Sequence, residues 1–327
     1  MIIDFKQATV EDAGLLVDIY NASFFSDYQR FGSCPGYGKT IEMMEESIRL
    51  YSKHIILCDN KPVGCVSCHS NAPQEYEIGS LCVIPEYQGK GIGTQAIQFV
   101  KNYYDDWKRL TLVTPLYKRE NIRFYTEKCG FQIVGTEKDG NVELARFLME
   151  RLYITHYFYP GTDPWKNIML LPEDEAFRVA GELAAAHPET TSFGRFADFR
   201  NYYPARKRAD EYVRNQFIAL GGKPALVHPY SFTLMDCEYL RKWFSNGEKI
   251  VISLEDVPDD QISFTIGDSC AQIINGMNPE VLTKEMLMKR IADCGNSLDT
   301  FLKSSLGKFA YVEVQLWYRP AVIPMVH

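Results

Sequence analysis

The run Leu81-Cys82-Val83-Ile84-Pro85-Glu86-Tyr87-Gln88-Gly89-Lys90-Gly91-Ile92-Gly93-Thr94 holds the most chemically suggestive spacing in this chain: a strand-like stretch, a proline, three glycines at alternate positions, then a helical pattern. Glycines there let the main chain turn tightly and present bare N–H groups at a helix N-terminus. Unsatisfied donors and the helix dipole at such a place favour an anion such as a pyrophosphate. The first expectation is therefore a phosphorylated ligand. Two familiar phosphate loops fit poorly. A dinucleotide fold wants G-x-G-x-x-G, whereas Gly89-Lys90-Gly91-Ile92-Gly93-Thr94 has a glycine one position early and Thr94 where the third belongs. Gly36-Tyr37-Gly38-Lys39-Thr40 ends like a nucleoside-triphosphate loop, but that pattern needs glycine at the position of Ser33, and no apolar strand precedes it.

The elements that must position this run alternate strand and helix through residues 1–150. A strand at 2–7 precedes an amphipathic helix opened by Thr9 as N-cap and carrying Leu15, Leu16, Ile19 and Tyr20. A second helix covers 41–51, and 24–39 reads as the loop between the two. Strands at 54–59 and 63–70 are joined by Asn60-Lys61-Pro62 as a hairpin, and 75–84 is the third central strand. After the glycines comes a long helix with Ala96, Ile97, Phe99 and Val100 on its apolar side, then a strand at 110–116 and a short helix at 120–129 closed by Gly130. Strands at 131–134 and 142–149 flank the turn Asp139-Gly140-Asn141.

Gln88-Gly89-Lys90-Gly91-Ile92-Gly93 matches [Q/R]-x-x-G-x-[G/A]. With the preceding Leu81, Val83 and Pro85 and the later Cys129-Gly130-Phe131, it resembles the acyl-CoA-binding signature of the GNAT N-acetyltransferase superfamily over residues 1–150. The resemblance implies an α/β fold whose mixed sheet has two central strands, 75–84 and 110–116, splayed apart to admit acetyl-CoA. It implies that main-chain N–H groups of Gly89, Lys90, Gly91, Ile92, Gly93 and Thr94, with Gln88, hold the pyrophosphate. The main chain of Leu81 to Val83 would pair with the pantetheine arm like an added strand, Val83 N–H would face the thioester carbonyl, and Asn121 would reach the pantetheine side. The implied reaction is direct attack of a neutral amine on the thioester, with no covalent enzyme intermediate.

Such a transfer needs a group to take the ammonium proton, a donor for the developing oxyanion and an acid for the departing thiolate. The family often draws the acid from a tyrosine four residues before its Gly-Phe pair. Tyr125 is the nearest candidate, yet it stands five before Gly130, with Thr126 at the usual place. For the base, Glu75 and Glu77 share a strand face with Leu81 and Val83 if the alternation is unbroken, and Glu77 is preferred; a bulge would change this. His54 and His69 read as strand residues. In the family the 24–39 loop walls the acceptor site, and Phe24, Phe25, Tyr28, Phe31 and Tyr37 would suit an apolar or aromatic amine, or pack against a second domain.

The whole chain of 327 residues is long enough for two domains, and 46% hydrophobic residues exclude wholesale disorder. A net charge of -7, divided as -4 over 1–150 and -3 over 151–327, gives neither half a positive field, so no nucleic-acid partner is expected. Charges at Asp4 and Lys6 interrupt any signal-peptide core, and no apolar run nears the roughly 18 residues that span a bilayer. No membrane partner and a cytoplasmic setting follow. Nine cysteines, mostly within apolar runs, suit buried hydrophobes in a reducing compartment. Cys65 and Cys68, three apart on a strand, point to opposite faces, so no metal is expected.

The expected domains are 1–151, an acetyltransferase, and 152–327, an α+β domain of unknown role. In the latter, 153–161 reads as a boundary or docking strap; helices are expected at 173–186, 209–220, 236–244, 280–294 and 298–304, and strands at 250–254, 261–266, 271–274 and 309–317. Arg195, Arg200, Arg206, Lys207 and Arg208 with Tyr202 and Tyr203 look like a nucleic-acid patch, but interleaved Asp210 and Glu211 favour a solvated helix face. Gly267-Asp268-Ser269 and His228-Pro229 have residue types that could belong to a site, but they show no ligand spacing. The function expected is acetyl transfer from acetyl-CoA to a small-molecule, peptide or protein amine, with a homo-oligomer left open. The alternative is a catalytically weak acyl-CoA-binding sensor with a C-terminal output domain.

Overall fold

The computed structural model describes residues 1–32, 34–140 and 142–321, so Asn141 of the expected turn lies outside the described residues. Its contacts separate two units, Met1–Glu150 and Arg151–His327. In the first, the elements run β1 (Ile3–Gln7), α1 (Ala13–Phe31), α2 (Ile41–Leu50), β2 (Ser52–Cys58), β3 (Lys61–Ala72), β4 (Glu75–Val83), α3 (Ile92–Tyr103), β5 (Arg109–Pro115), α4 (Arg119–Arg123), β6 (Gln132–Asp139) and β7 (Val142–Glu150). The seven strands form one mixed sheet in the order β1-β2-β3-β4-β5-β7-β6, where only β4 and β5 run parallel.

Strand alternation sorts the apolar side chains onto two faces. One face packs Val66, Cys68, Ile78 and Leu112 against Ile92, Ala96, Ile97 and Val100 of α3, with Tyr125, Phe131 and Phe147 in the same cluster. The other packs Ile55, Cys65 and Cys82 against Leu16, Ile19 and Tyr20 of α1 and Met44 of α2. Cys65 and Cys68 therefore fall on opposite faces, and all nine cysteines are free thiols. Thr9 caps a short 3-10 turn, Val10–Asp12, that precedes α1, and Thr40 Oγ1 accepts the Met43 N–H at the start of α2.

Helix α1 is longer than the sequence suggested. It runs to Phe31 and stops at Gly32, whose φ of 71° is the left-handed conformation of a helix terminator. Phe24, Phe25, Tyr28 and Phe31 therefore lie on this helix rather than on a loop at 24–39, and only Tyr37 of the five aromatics follows it. The correction has a simple cause: phenylalanine and tyrosine at these positions do not break a helix, and the first glycine does.

The second unit contains β8 (Tyr153–Phe158), α5 (Glu173–Ala186), α6 (Thr191–Gly194), α7 (Phe199–Ala219), β9 (Tyr230–Leu234), α8 (Glu238–Trp243), β10 (Glu248–Ser253), β11 (Ile262–Ile266), α9 (Ser269–Ile274), β12 (Val281–Leu282), α10 (Lys284–Asp293), α11 (Leu298–Ser305) and β13 (Val312–Leu316). Its six-stranded sheet is antiparallel throughout, in the order β10-β8-β9-β13-β11-β12. The stretch expected as a strap holds β8, a strand paired on both sides, between β10 and β9. The strand expected at 271–274 is instead the end of α9: Asp268 caps that helix by accepting the Ala271 N–H at 2.8 Å, and the isoleucines close a helical turn. Residues 281–282 are strand, and the helix begins only after Thr283, its N-cap.

One face of this sheet is apolar and meets Leu287 and Ile291 of α10 and Phe301 of α11. The other is polar and buried. Thr155, Thr233, Ser263 and Thr265 are each 0% exposed, and Glu313 and Gln315 are 3% and 1% exposed. Buried polar groups persist only when hydrogen-bonded. Here Ser263 donates to Gln315 Oε1, Gln315 donates to Thr265 Oγ1, and Trp317 Nε1 donates to Ser263.

Candidate functional site

The glycine run lies where β4 gives way to α3. Gly89 and Gly91 have φ of 72° and 79°, a left-handed backbone that side-chain-bearing residues adopt only at a cost, and Gly91 is the N-cap of α3. The first helical carbonyl, that of Gly91, accepts the Gln95 N–H. The N–H groups of Ile92, Gly93 and Thr94 thus have no acceptor within the helix, and Gly89, Lys90, Gly91 and Thr94 are solvent-exposed. Gly93 is needed for a second reason: a Cβ there would come within 2.9 Å of the Phe124 ring. Lys90 Nζ lies 4.7 Å from the Tyr87 ring centre.

Beside this loop the sheet opens. Parallel pairing of β4 with β5 ends at Ile78 and Leu112, although β4 continues to Val83 and β5 to Pro115. Ile84 donates its N–H to the Val63 carbonyl of β3 at 2.9 Å. Because paired residues alternate along an antiparallel ladder, Cys82 also turns its peptide groups to β3, while Leu81 and Val83 turn theirs toward the gap. The Val83 carbonyl is taken by Gln88 Nε2 at 2.8 Å, which ties the glycine loop back to the strand. Gln88 is thereby a loop brace. Asn121 stands across the gap, donating from Nδ2 to Thr114 Oγ1 of β5 at 3.0 Å.

At the same level β4 is bulged. Ser67 pairs with Ser80 and Cys68 with Ile78, leaving Gly79 as the extra residue. The bulge reverses the alternation, so Glu75 and Glu77 lie on the α1–α2 face, opposite Leu81 and Val83. This corrects the unbroken reading of the strand. Glu75 is ion-paired with Arg109 at 3.2 Å. Glu77 instead accepts from Asn71 Nδ2 at 3.0 Å and lies 3.9 Å from His69 Nε2. His54 is buried between Phe99 and Tyr103, and burial lowers its pKa.

Two groups on the Glu77 face escaped sequence reasoning. Ser80 hydrogen-bonds both Ser67, at 2.9 Å, and Tyr20. Lys53 donates to the Tyr20 hydroxyl at 3.4 Å. Burial lowers the Lys53 pKa and raises that of Tyr20. These residues are far apart in sequence, and only the bulge and α1 bring them together, so no spacing could have shown them.

Tyr125 follows α4 in a π-helical turn, Phe124–Lys128, in which Cys129 donates its N–H five residues back to Phe124. A π turn accommodates one residue more than an α turn. The extra residue between Tyr125 and Gly130 is absorbed there, and the ring lies among Phe124, Phe131 and Phe147. Burial pushes its phenol far above the ordinary value, so it carries its proton at neutral pH.

Nearby, α1 and the residues after it form an aromatic wall. Tyr28 stacks on Tyr37 at 4.3 Å, Phe31 lies 4.5 Å from Tyr117, and Arg30 sits 4.7 Å over the Tyr117 ring. Asp27 joins Lys118 at 2.5 Å. Among the described residues no group of three His, Cys, Asp or Glu side chains could hold a metal ion, and no helix is long and apolar enough to cross a membrane.

Residues 17–131 match the Acetyltransferase (GNAT) family. The chain is 27% identical over 175 residues to an S-alkylcysteine N-acetyltransferase of Bacillus subtilis (strain 168), a match covering 49% of this chain and 97% of that protein. It is 38% identical over 80 residues to the uncharacterized protein YrkN of the same organism, covering 24% of this chain and 43%, under half, of YrkN. Among solved structures, an acetyltransferase from Thermus thermophilus is 21% identical, with a TM-score of 0.39, covering 46% of this chain and 97% of that one. Residues 17–131 thus match a GNAT acetyltransferase domain.

Proposed function

We propose that the N-terminal unit transfers the acetyl group of acetyl-CoA to a primary amine by direct attack. One observation carries the reading: unsatisfied N–H groups at the start of α3 adjoin a gap in the sheet toward which the Leu81 and Val83 peptides point. The first would hold the coenzyme's diphosphate through Gly89 to Thr94. The second would pair with its pantetheine arm, with Val83 N–H donating to the thioester oxygen as negative charge develops there. Asn121, anchored on β5, would flank the same arm from the opposite side.

The acceptor approaches from the α1–α2 face. Glu77, held by Asn71 and near His69, takes the ammonium proton directly or through water, and the Ser67–Ser80–Tyr20 hydroxyls provide a second path on the same face. The free amine attacks the thioester carbon, the C–S bond breaks, and Tyr125 gives its proton to the thiolate. The aromatic wall of Tyr28, Tyr37, Phe31 and Tyr117 supports an amine with an apolar side chain. The activity for which the Bacillus relative is named makes an amino acid with an apolar thioether side chain the first acceptor to try.

The test is incubation of the full chain with acetyl-CoA and a panel of S-alkylcysteines, polyamines, aminoglycosides and peptide N-termini, with products weighed by mass spectrometry. Acetylated product, with kcat reduced on the order of 10²–10⁴-fold by Tyr125→Phe at nearly constant KM for acetyl-CoA, is the expected result. Tight coenzyme binding without any turnover would instead establish the sensor reading.

A further inference from the structure

The second unit holds a cavity of about 230 Å³ between the polar face of its sheet and helices α6, α7 and α8. Its side walls are aromatic, built from Tyr157, Phe193, Phe196, Tyr202 and Trp243. Its floor is charged. Arg206 Nε meets Asp210 at 2.7 Å, its Nη1 lies 3.5 Å from Glu313, and its Nη2 donates to Ser231 at 3.1 Å. Asp210 also accepts from or pairs with His228 Nδ1 at 2.7 Å. Of the residues read as a solvated helix face, Arg195, Arg200, Lys207, Arg208 and Glu211 are exposed, but Arg206 is 9% exposed and Asp210 2%. Position i to i+4 on α7 turns both inward together, and Asp268 and His228, singled out separately in the sequence, join the same neighbourhood.

We propose that this cavity binds a small organic cation, a protonated amine or guanidinium carried on an apolar or single-ring body. Charge balance is the first argument. Asp163, Asp210, Asp268 and Glu313 line the cavity against Lys166, Arg195 and Arg206. The Arg206 charge is already shared between two carboxylates. Asp268 accepts from Tyr311 at 3.2 Å and from the Ala271 N–H, yet has no ion-pair partner among the described residues. A carboxylate has about four acceptor sites, so it retains room for a donor from a ligand.

The aromatic wall is the second argument. The Arg195 guanidinium already lies over its outer edge, 5.3, 5.0 and 5.7 Å from the Phe196, Tyr202 and Trp243 rings. The same ring faces attract cations electrostatically. Size is the third: a cavity on the order of 150 Å³ takes benzene, so this one has room for a single ring with a short substituent. A fourth observation comes from the wall itself, where Ser192 is 1% exposed and its Oγ has no hydrogen-bond partner. Burial, and then the Asp268 charge, raise the Glu313 pKa, and a cation beside Asp268 would relieve the second of these.

This inference does not rest on acetyl transfer and is tested separately. Calorimetric titration of the full chain uses benzylamine and agmatine, with benzyl alcohol and benzoate as neutral and anionic controls. The two amines should bind saturably and the controls should not. Asp268→Asn, which keeps the helix cap, and Trp243→Leu should each weaken the amines at least tenfold without altering the circular dichroism spectrum. Preferential binding of benzoate, absence of amine binding, or amine affinity unchanged in both variants would each overturn the proposal. The last outcome would mean that the amine sits in the acceptor site of the other unit.

Discussion

Gly91→Ala separates backbone strain from steric effects at the glycine loop. A Cβ at residue 91 would meet nothing within 4 Å, so no clash accompanies it, but φ of 79° remains in the left-handed region. An L-residue there costs about 1–2 kcal/mol. If the loop relaxes to escape that strain, coenzyme affinity falls by the same amount, about 5- to 30-fold at 1.4 kcal/mol per decade. If the loop stays as it is, the loss appears in the unfolding free energy instead. Titration with coenzyme A and urea unfolding of the same protein together recover the full cost. Gly91→Asn should lose roughly half as much, since asparagine tolerates this conformation. Gly93→Ala has an ordinary φ but a Cβ 2.9 Å from the Phe124 ring, and should displace that ring. An asparagine variant at least as impaired as the alanine one, or an alanine variant unchanged in both measurements, would refute the argument from φ.

Deletion of exposed Glu127 should convert the π turn into an α turn and keep Tyr125 among Phe131 and Phe147; loss of folding by circular dichroism would show that the extra residue is not simply accommodated. Arg206→Met strands two buried carboxylates and should cost about 3–5 kcal/mol in unfolding, whereas Arg178→Met, at an exposed ion pair with Glu182, should change stability by less than about 1 kcal/mol. Equal losses would sink the distinction. Burial holds the Lys53 pKa below its usual 10.5. Between its folded and unfolded pKa the unfolded chain binds more protons, so stability rises with pH through that window; Lys53→Met should lack this rise when denaturation is compared from pH 7 to 10.5.

Local chemistry in the sequence determined much of the N-terminal unit. Glycines at 89 and 91 between a strand and a helix favour a tight turn with bare N–H groups, because the left-handed conformation they adopt is a property of single residues. Two-residue and 3.6-residue periods likewise gave the order of strands and helices. What the sequence left open were quantities set by pairing partners. The Gly79 bulge exists because β3 pairs across it, and that one extra residue moved Glu75 and Glu77 to the other face. The π turn at Phe124–Lys128 and the contact of the Tyr125 ring with Phe131 likewise appear only in the folded chain. In the second unit, Arg206 read as surface like its exposed neighbours Lys207 and Arg208, because a helix sequence does not say what covers each side. Only β13, more than 100 residues later, supplied the Glu313 that makes burial of Arg206 tolerable.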